Sequence, residues 1–209
     1  MYNDAMKITP TLDREKALWK QGKIVSGIDE AGRGAWAGPV VVAAVVLSKK
    51  HKQIDGITDS KLMSPTKRAE FYEIITDMVV DFGVGIVGHE IIDEIGILEA
   101  TKLGAKQAVE MMSVKTDYLL TDALDLRQQL EIEQEAIIKG DQKIYSISCA
   151  SIIAKVTRDN LMSALGGEYS RYAFERHKGY GTKLHQARLA EHGISNIHRR
   201  SYKPIKAFL

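Results

Sequence analysis

Four carboxylates in this chain sit at or just past apolar, strand-forming runs: Asp29 and Glu30 after IVSGI, Asp122 after DYLLT, and Asp141 after QEAIIKG. A lone acid at a strand end is usually a turn former or a helix cap. Aspartate is depleted inside strands, however, and strand ends at one edge of a sheet converge in space. Several such positions in one domain therefore point to a shared site. Carboxylates brought together raise one another's pKa, and a bound cation removes that penalty. The donors are all oxygen, and no Cys/His set with zinc spacing occurs, which suits Mg²⁺ or Mn²⁺. Acids clustered around two such ions, roughly 3.5–4 Å apart, hydrolyse phosphodiesters. Asp29 and Glu30 set a geometric condition, because neighbours on an ideal strand point to opposite faces. Both reach one site only if the strand ends there, or if Glu30 arrives by another path. Gly32 and Gly34 permit such an end.

Gly32-Arg33-Gly34 follows the acids directly. Glycines flanking an arginine let the backbone approach a ligand and expose its N–H groups, and the guanidinium suits a phosphate. The same tripeptide alone is most often a surface turn. Trp36 reads as core packing. From residue 171 to 209 there are nine basic residues and only Glu175 and Glu191 against them; such a stretch pairs with phosphates or forms a solvated helical face. Lys61, Lys155, Lys178 and the C-terminal basic residues are candidates for phosphate contacts. Lys155 and Arg158 serve equally well as partners of helix acids such as Asp159. His177 and His198 are open between proton shuttling and a structural role.

These residues need a scaffold. Residues 24–29 (IVSGID) and 38–47 (GPVVVAAVVL) read as strands, the second buried on both faces. Ser64-Pro65 is a helix start, and Phe71, Ile75, Met78, Val79 and Phe82 continue at helical spacing. Residues 83–88 form a glycine-bounded strand. Helical segments follow at 91–95 and 98–112, then strands at 117–122 and 134–138. A long helix rich in small residues covers 146–165, and another covers 182–191 with Gly193 as its stop. Strands alternating with helices predict an α/β domain with a mixed sheet.

The chain has 209 residues, a net charge of +2 and one cysteine, Cys149. That length suits one domain: a polar leader over 1–23, with a short helix near 12–21, and a catalytic domain over 24–209. One cysteine excludes an intrachain disulfide, and Cys149 lies in a small-residue run that suits burial. The polar N-terminus lacks the apolar core of a signal peptide, and the run at 40–47 is too short to span a bilayer. The expectation is a soluble, cytoplasmic monomer with no membrane contact.

Gly27-Ile28-Asp29-Glu30-Ala31-Gly32-Arg33-Gly34, followed by Ala37-Gly38-Pro39-Val40, resembles the signature of type 2 ribonucleases H, in particular ribonuclease HII. Further matches follow in the family's order: Asp59-Ser60-Lys61-Leu62, Asp122, Lys139-Gly140-Asp141, ASIIAKVTRD over 150–159, HKGYGT over 177–182, His192-Gly193, and HRRSY over 198–202. The resemblance covers residue 24 to the C-terminus. It implies a ribonuclease H-like fold: a mixed central sheet flanked by helices, with a helical C-terminal part. It implies Asp29, Glu30, Asp122 and Asp141 as catalytic metal ligands, with Mg²⁺ or Mn²⁺ as cofactor. It implies that Gly32, Arg33 and Gly34 read a 2′-hydroxyl, the group that separates RNA from DNA, and that Tyr180 senses the adjoining deoxyribonucleotide.

The implied activity is two-metal cutting of the RNA strand of RNA/DNA hybrids. It includes nicking on the 5′ side of single ribonucleotides in duplex DNA, with 3′-hydroxyl and 5′-phosphate products. Removal of RNA primers and excision of ribonucleotides are the matching cellular tasks. The alternative is a ribonuclease HIII-like enzyme needing longer RNA tracts, for which the expected leader is too short to supply the extra N-terminal domain. Ile205 to Leu209 (IKAFL) suits either packing on its own domain or contact with a sliding clamp. The chain departs from the commonest family pattern at Ala35-Trp36, at Ala123-Leu124 (where many members carry glycine first) and at Ser148-Cys149-Ala150.

Overall fold

The computed structural model describes residues 9–58 and 60–209; residues 1–8 of the leader, and Asp59 of the DSKL motif, lie outside the described residues. In chain order the elements are α1 (Asp13–Lys20), β1 (Val25–Ala31), β2 (Val40–Val46), α2 (Pro65–Met78), β3 (Asp81–Val87), α3 (His89–Met111), β4 (Tyr118–Asp122), β5 (Glu133–Ile137), α4 (Gly140–Lys143), α5 (Tyr145–Glu168), α6 (Phe174–His177), α7 (Lys183–His192) and α8 (Lys203–Lys206). The five strands form one sheet in the order β3-β2-β1-β4-β5. β1 and β3 both run antiparallel to β2, whereas β4 is parallel to β1 and to β5. This is the mixed α/β sheet that the alternation of elements predicts.

β2 is buried along its whole length because helices cover both faces. Val41, Ala43 and Val45 join the core beneath α5, with Leu18, Trp19 and Ile147. Val42, Ala44 and Val46 face α3, with Ile28 and Ala105. Small residues bring helix and sheet into close contact. A Cβ on Gly27 of β1 would lie 2.4 Å from the Ser146 carbonyl carbon, and one on Gly83 would lie 1.9 Å from the Ala108 oxygen.

Several local signals act as expected. Ser64 caps α2 by accepting from the Lys67 N–H, whereas Thr182, expected as the first residue of its helix, stands just before α7 and caps it by accepting from the His185 N–H. Gly96 (φ 81°) breaks α3 where the sequence separates two helical segments. Other boundaries move. Helical spacing continues to Phe82, but α2 stops at Met78, and Phe82 instead pairs with Val45 in β3. The gain of a full-length ladder with β2 outweighs another turn of helix. The stretch before residue 24 contributes Leu12, Leu18 and Trp19 to the main core, and Glu15 of α1 accepts the Ser146 N–H at the start of α5. Among the described residues no helix is long and apolar enough to cross a membrane.

Candidate active site

Asp29 and Asp122 come from the parallel neighbours β1 and β4, whose C-terminal ends lie side by side. Asp141 comes from α4, just beyond β5. A sharp reversal brings it back: Lys139 takes a left-handed conformation (φ 57°), and the Gly140 N–H donates to Asp122 Oδ1 at 2.7 Å. One oxygen from each of Asp29, Asp122 and Asp141 falls within 4.8 Å of the others. Asp29 and Asp141 are each 4% exposed, so their charges are held largely away from water.

Glu30 stands differently. β1 does not end at Asp29 but runs on to Ala31, and Glu30 pairs with Val42 in that ladder. Alternation along the strand keeps the two acids apart. Asp29 Oδ1 accepts the Glu30 N–H at 2.7 Å, while the Glu30 carboxylate takes Arg33 Nη1 at 3.1 Å. Glu30 is therefore next to the three aspartates but turned toward the arginine of the following loop. The strand end inferred from the glycines falls two residues later than expected.

The electrostatics match a site built for a cation. Burial, and then the charges of Glu30 and Asp122, hold the Asp29 carboxyl well above the usual carboxylate range, against an opposing hydrogen bond from Ser151. Burial raises Glu30 too, opposed by Arg33 and, more weakly, by Lys61. Lys61 Nζ reaches within 3.8 Å of Asp141 from a largely exposed position. Three oxygen donors at this spacing, with one made reluctant to ionise by burial and then by its neighbours, fit a divalent cation.

Beside the acids lies a cleft of about 450 Å³, lined by residues that include Glu30, Gly32, Arg33, Gly34, Lys61 and Tyr180. The structure thus gathers the sequence-selected loop, lysine and tyrosine around one opening. The loop is tied down from behind. The Arg33 carbonyl accepts from Arg199 Nη1 at 3.0 Å and from the Tyr202 hydroxyl at 2.5 Å. No peptide bond in the described chain is cis, so the Gly34 N–H points the opposite way from that carbonyl. Gly32 (φ 98°) has no room for a side chain: a Cβ there would meet Arg158 Nε at 2.0 Å.

Arg158 and Lys155 divide. Arg158 is fully buried and donates to the carbonyls of Ala37, Pro39 and Lys178, so it braces the loop rather than pairing with Asp159. Lys155 does pair with Asp159, Nζ–Oδ1 2.7 Å, and also lies 5.2 Å from the centre of the Tyr180 ring. Trp36 packs on Gly181, where a Cβ would lie 2.1 Å from its ring. His177 and His198 are buried, with no place in the cleft. Cys149 is buried too, its thiol pushed up in pKa by burial.

Sequence reasoning gave no role to Ser151, Ser60 or Arg68, and it counted Arg199 in the basic stretch open to phosphates, whereas Arg199 is fully buried and holds the Arg33 and Gly38 carbonyls. Ser151 projects from α5 to hydrogen-bond with both Asp29 and the Ser60 hydroxyl (2.9 Å). Arg68 holds the carbonyls of Ser60 and Met63, fixing the segment that carries Lys61. The signal for Ser151 was present as a hydroxyl in the small-residue helix, but only its contact with β1 gives it a task.

A family model described as ribonuclease HII matches residues 26–205. A ribonuclease HII of Dehalococcoides mccartyi is 48% identical over 98% of this chain and 98% of its own length. Among solved structures, ribonuclease H2 from Pyrococcus horikoshii OT3 is similar, with a TM-score of 0.73 and 27% identity over 88% of this chain and 96% of that one. The ribonuclease HII of Archaeoglobus fulgidus, solved in complex with PCNA, is similar with a TM-score of 0.71 and 27% identity, covering 86% of this chain and 95% of that one.

Proposed function

The chain belongs to the ribonuclease HII family and is an endoribonuclease; from that premise we propose that it cuts the RNA strand of RNA/DNA hybrids and nicks duplex DNA on the 5′ side of a single embedded ribonucleotide. The carrying observation is the placing of Asp29, Asp122 and Asp141 within 4.8 Å of one another beside a cleft lined by Gly32, Arg33, Gly34 and Tyr180.

Asp29, Asp122 and Asp141 would hold divalent cations, Mg²⁺ or Mn²⁺, with Glu30 joining them when a substrate phosphate draws Arg33 away. When bound, such ions activate the attacking water and stabilise the leaving 3′-oxygen. The Asp122 carboxylate is oriented by the Gly140 N–H and the Asp29 carboxylate by Ser151, so neither has to reorganise as charge develops. The Gly34 N–H, directed outward by the anchoring of the Arg33 carbonyl, is the donor we assign to the ribose 2′-hydroxyl. Backbone recognition of a sugar oxygen is indifferent to base identity. The Tyr180 ring packs on the neighbouring deoxyribose, where a 2′-hydroxyl would be in the way. Lys61 and Arg33 supply phosphate contacts. The products would carry 3′-hydroxyl and 5′-phosphate ends.

The HIII-like alternative is not favoured, because the family model and the relatives are of the HII kind. A sliding-clamp contact is a further part of the reading: Phe208 and Leu209 are exposed beyond the buried Ile205, and the A. fulgidus relative was solved with PCNA. Loss of clamp binding in Phe208→Ala would support it, and unchanged binding would remove it.

The deciding experiment is a nicking assay on duplex DNA with one embedded ribonucleotide, with Mg²⁺ or Mn²⁺ and with EDTA. Metal-dependent nicking 5′ of the ribonucleotide is expected, with all-DNA duplex left whole. An uncut ribonucleotide substrate in the presence of either metal overturns the reading.

A further inference from the structure

His177, His185 and His198 lie in the C-terminal part and do not line the cleft. His185 and His198 are fully buried, and among the described hydrogen bonds neither ring meets a carboxylate. They surround Phe174, whose ring centre lies 5.6 Å from that of His185 and 5.7 Å from that of His198. His177 stacks on His185 at 4.3 Å. Burial in this aromatic setting lowers His185 and His198 to about 4, so both are neutral at neutral pH.

A neutral imidazole has one donor and one acceptor, and its neighbours decide which is which. The Ser195 N–H donates to His198 Nδ1 at 2.8 Å, and the Ser195 hydroxyl, also 2.8 Å from that nitrogen, must donate to it as well; Nδ1 is therefore bare and the hydrogen of His198 is on Nε2. His198 Nε2 lies 3.0 Å from His185 Nε2 and must donate to it. The hydrogen of His185 is then forced onto Nδ1, which donates to the Tyr180 carbonyl at 3.1 Å. A Ser195 amide on one side of the core thereby dictates the hydrogen bond made to the main chain of Tyr180 on the other. His177 works in parallel: its Nδ1 accepts the Gly179 N–H at 3.2 Å, and its Nε2 donates to the Tyr172 carbonyl at 2.8 Å. The Tyr180 carbonyl also accepts the Thr182 N–H at 2.8 Å, so its two lone pairs are both used.

We propose that Ser195, His198 and His185 form a one-directional hydrogen-bond relay that fixes the Tyr180 main chain, sets its ring at the cleft, and so determines the preference for an RNA–DNA junction over a continuous hybrid. His185 and His198 are positioning residues, and the inference rests on the sugar-sensing role assigned to Tyr180. A packing role alone would be served by any flat ring and would not require His185 to carry its hydrogen on Nδ1.

Nitrogen-15 NMR of the imidazoles in the whole protein at neutral pH reads the tautomers directly. Nδ1–H is expected for His185 and Nε2–H for His198 and His177; a charged or Nε2–H His185 overturns the relay, whatever the enzyme cuts. Activity gives the second arm. His198→Leu removes the donor, whereas His198→Gln places an amide N–H where Nε2–H stood. Losing one buried hydrogen bond corresponds to roughly a tenfold change. The ratio of single-ribonucleotide nicking to continuous-hybrid cutting should therefore fall about tenfold in His198→Leu. His198→Gln should recover it to within about twofold, with hybrid cutting within about threefold of the parent in both. Equal ratios in the three proteins overturn the proposal. A parent enzyme that cuts neither substrate overturns the proposed function instead and leaves the tautomers to decide the relay. Should His198→Leu fail to fold, the NMR measurement still decides it.

Discussion

Arg158 Nη1 donates to the Lys178 carbonyl at 2.9 Å, and the same guanidinium holds the carbonyls of Ala37 and Pro39. One buried side chain thus joins the segment leading into Tyr180 to the segment following Gly34. The two parts of the cleft that would tell ribose from deoxyribose are thereby tied to each other. Arg199 adds a second brace to the Arg33 and Gly38 carbonyls.

Replacing Arg158 with Met keeps much of the volume but leaves three carbonyls without a donor. Unsatisfied buried polar groups cost about 1–3 kcal/mol each, partly offset because a buried cation is also removed. Urea unfolding should show a net loss of roughly 2–4 kcal/mol. Nicking at single ribonucleotides should fall more than cutting of continuous hybrids. Unchanged stability would show that the brace is dispensable.

Asp29→Asn should abolish cleavage, by on the order of 10³-fold or more, because it removes a charged oxygen donor from the aspartate group. Substrate binding should stay within a few fold. In EDTA the variant should melt higher than the parent, since Asp29 is held in the cluster against burial and like-charge repulsion. Mn²⁺ should raise the melting temperature of the parent, by linkage, and barely move that of the variant. Thermal melts with and without metal separate these outcomes.

The buried histidines predict acid sensitivity. Free histidine takes up a proton near pH 6.5, whereas His185 and His198 in the folded chain do so only at about 4. Between those values the unfolded state binds more protons, so stability falls as pH drops through that window. Denaturant midpoints measured from pH 7 down to pH 4.5 should decline in the parent. They should decline less in His198→Gln, which has one fewer titrating ring; superimposable profiles would contradict the assignment.

Ala123 directly follows Asp122 and sits in the left-handed region with φ 51°. A side chain there is strained, while glycine is not. Ala123→Gly should therefore raise stability by up to about 1 kcal/mol, offset in part by the freer unfolded chain. Activity should not change, because the Asp122 carboxylate stays anchored to the Gly140 N–H. A lower melting temperature would mean that the methyl packs better than the strain costs.

The acid positions were legible in the sequence because each follows a strand-forming run, and the glycines of Gly32-Arg33-Gly34 mark where the chain must turn. The order of the strands and main helices, the cap at Ser64 and the separation of two helical segments on either side of Gly96 were legible too, since they depend on local backbone chemistry. The end of β1 was not. Gly32 and Gly34 suggest an early stop, but pairing with β2 extends the strand to Ala31, and that pairing alone decides that Glu30 turns toward Arg33. Ser151, Arg158, Arg199 and His185 acquired their roles only in three dimensions. They act across more than a hundred residues of chain in the cases of Ser151, Arg158 and Arg199, and across a buried contact between rings in the case of His185. Residue type and spacing along a chain record local preference. Which carbonyl a buried guanidinium reaches, and on which nitrogen a buried imidazole carries its hydrogen, is settled by the partners that packing brings within 3 Å or so.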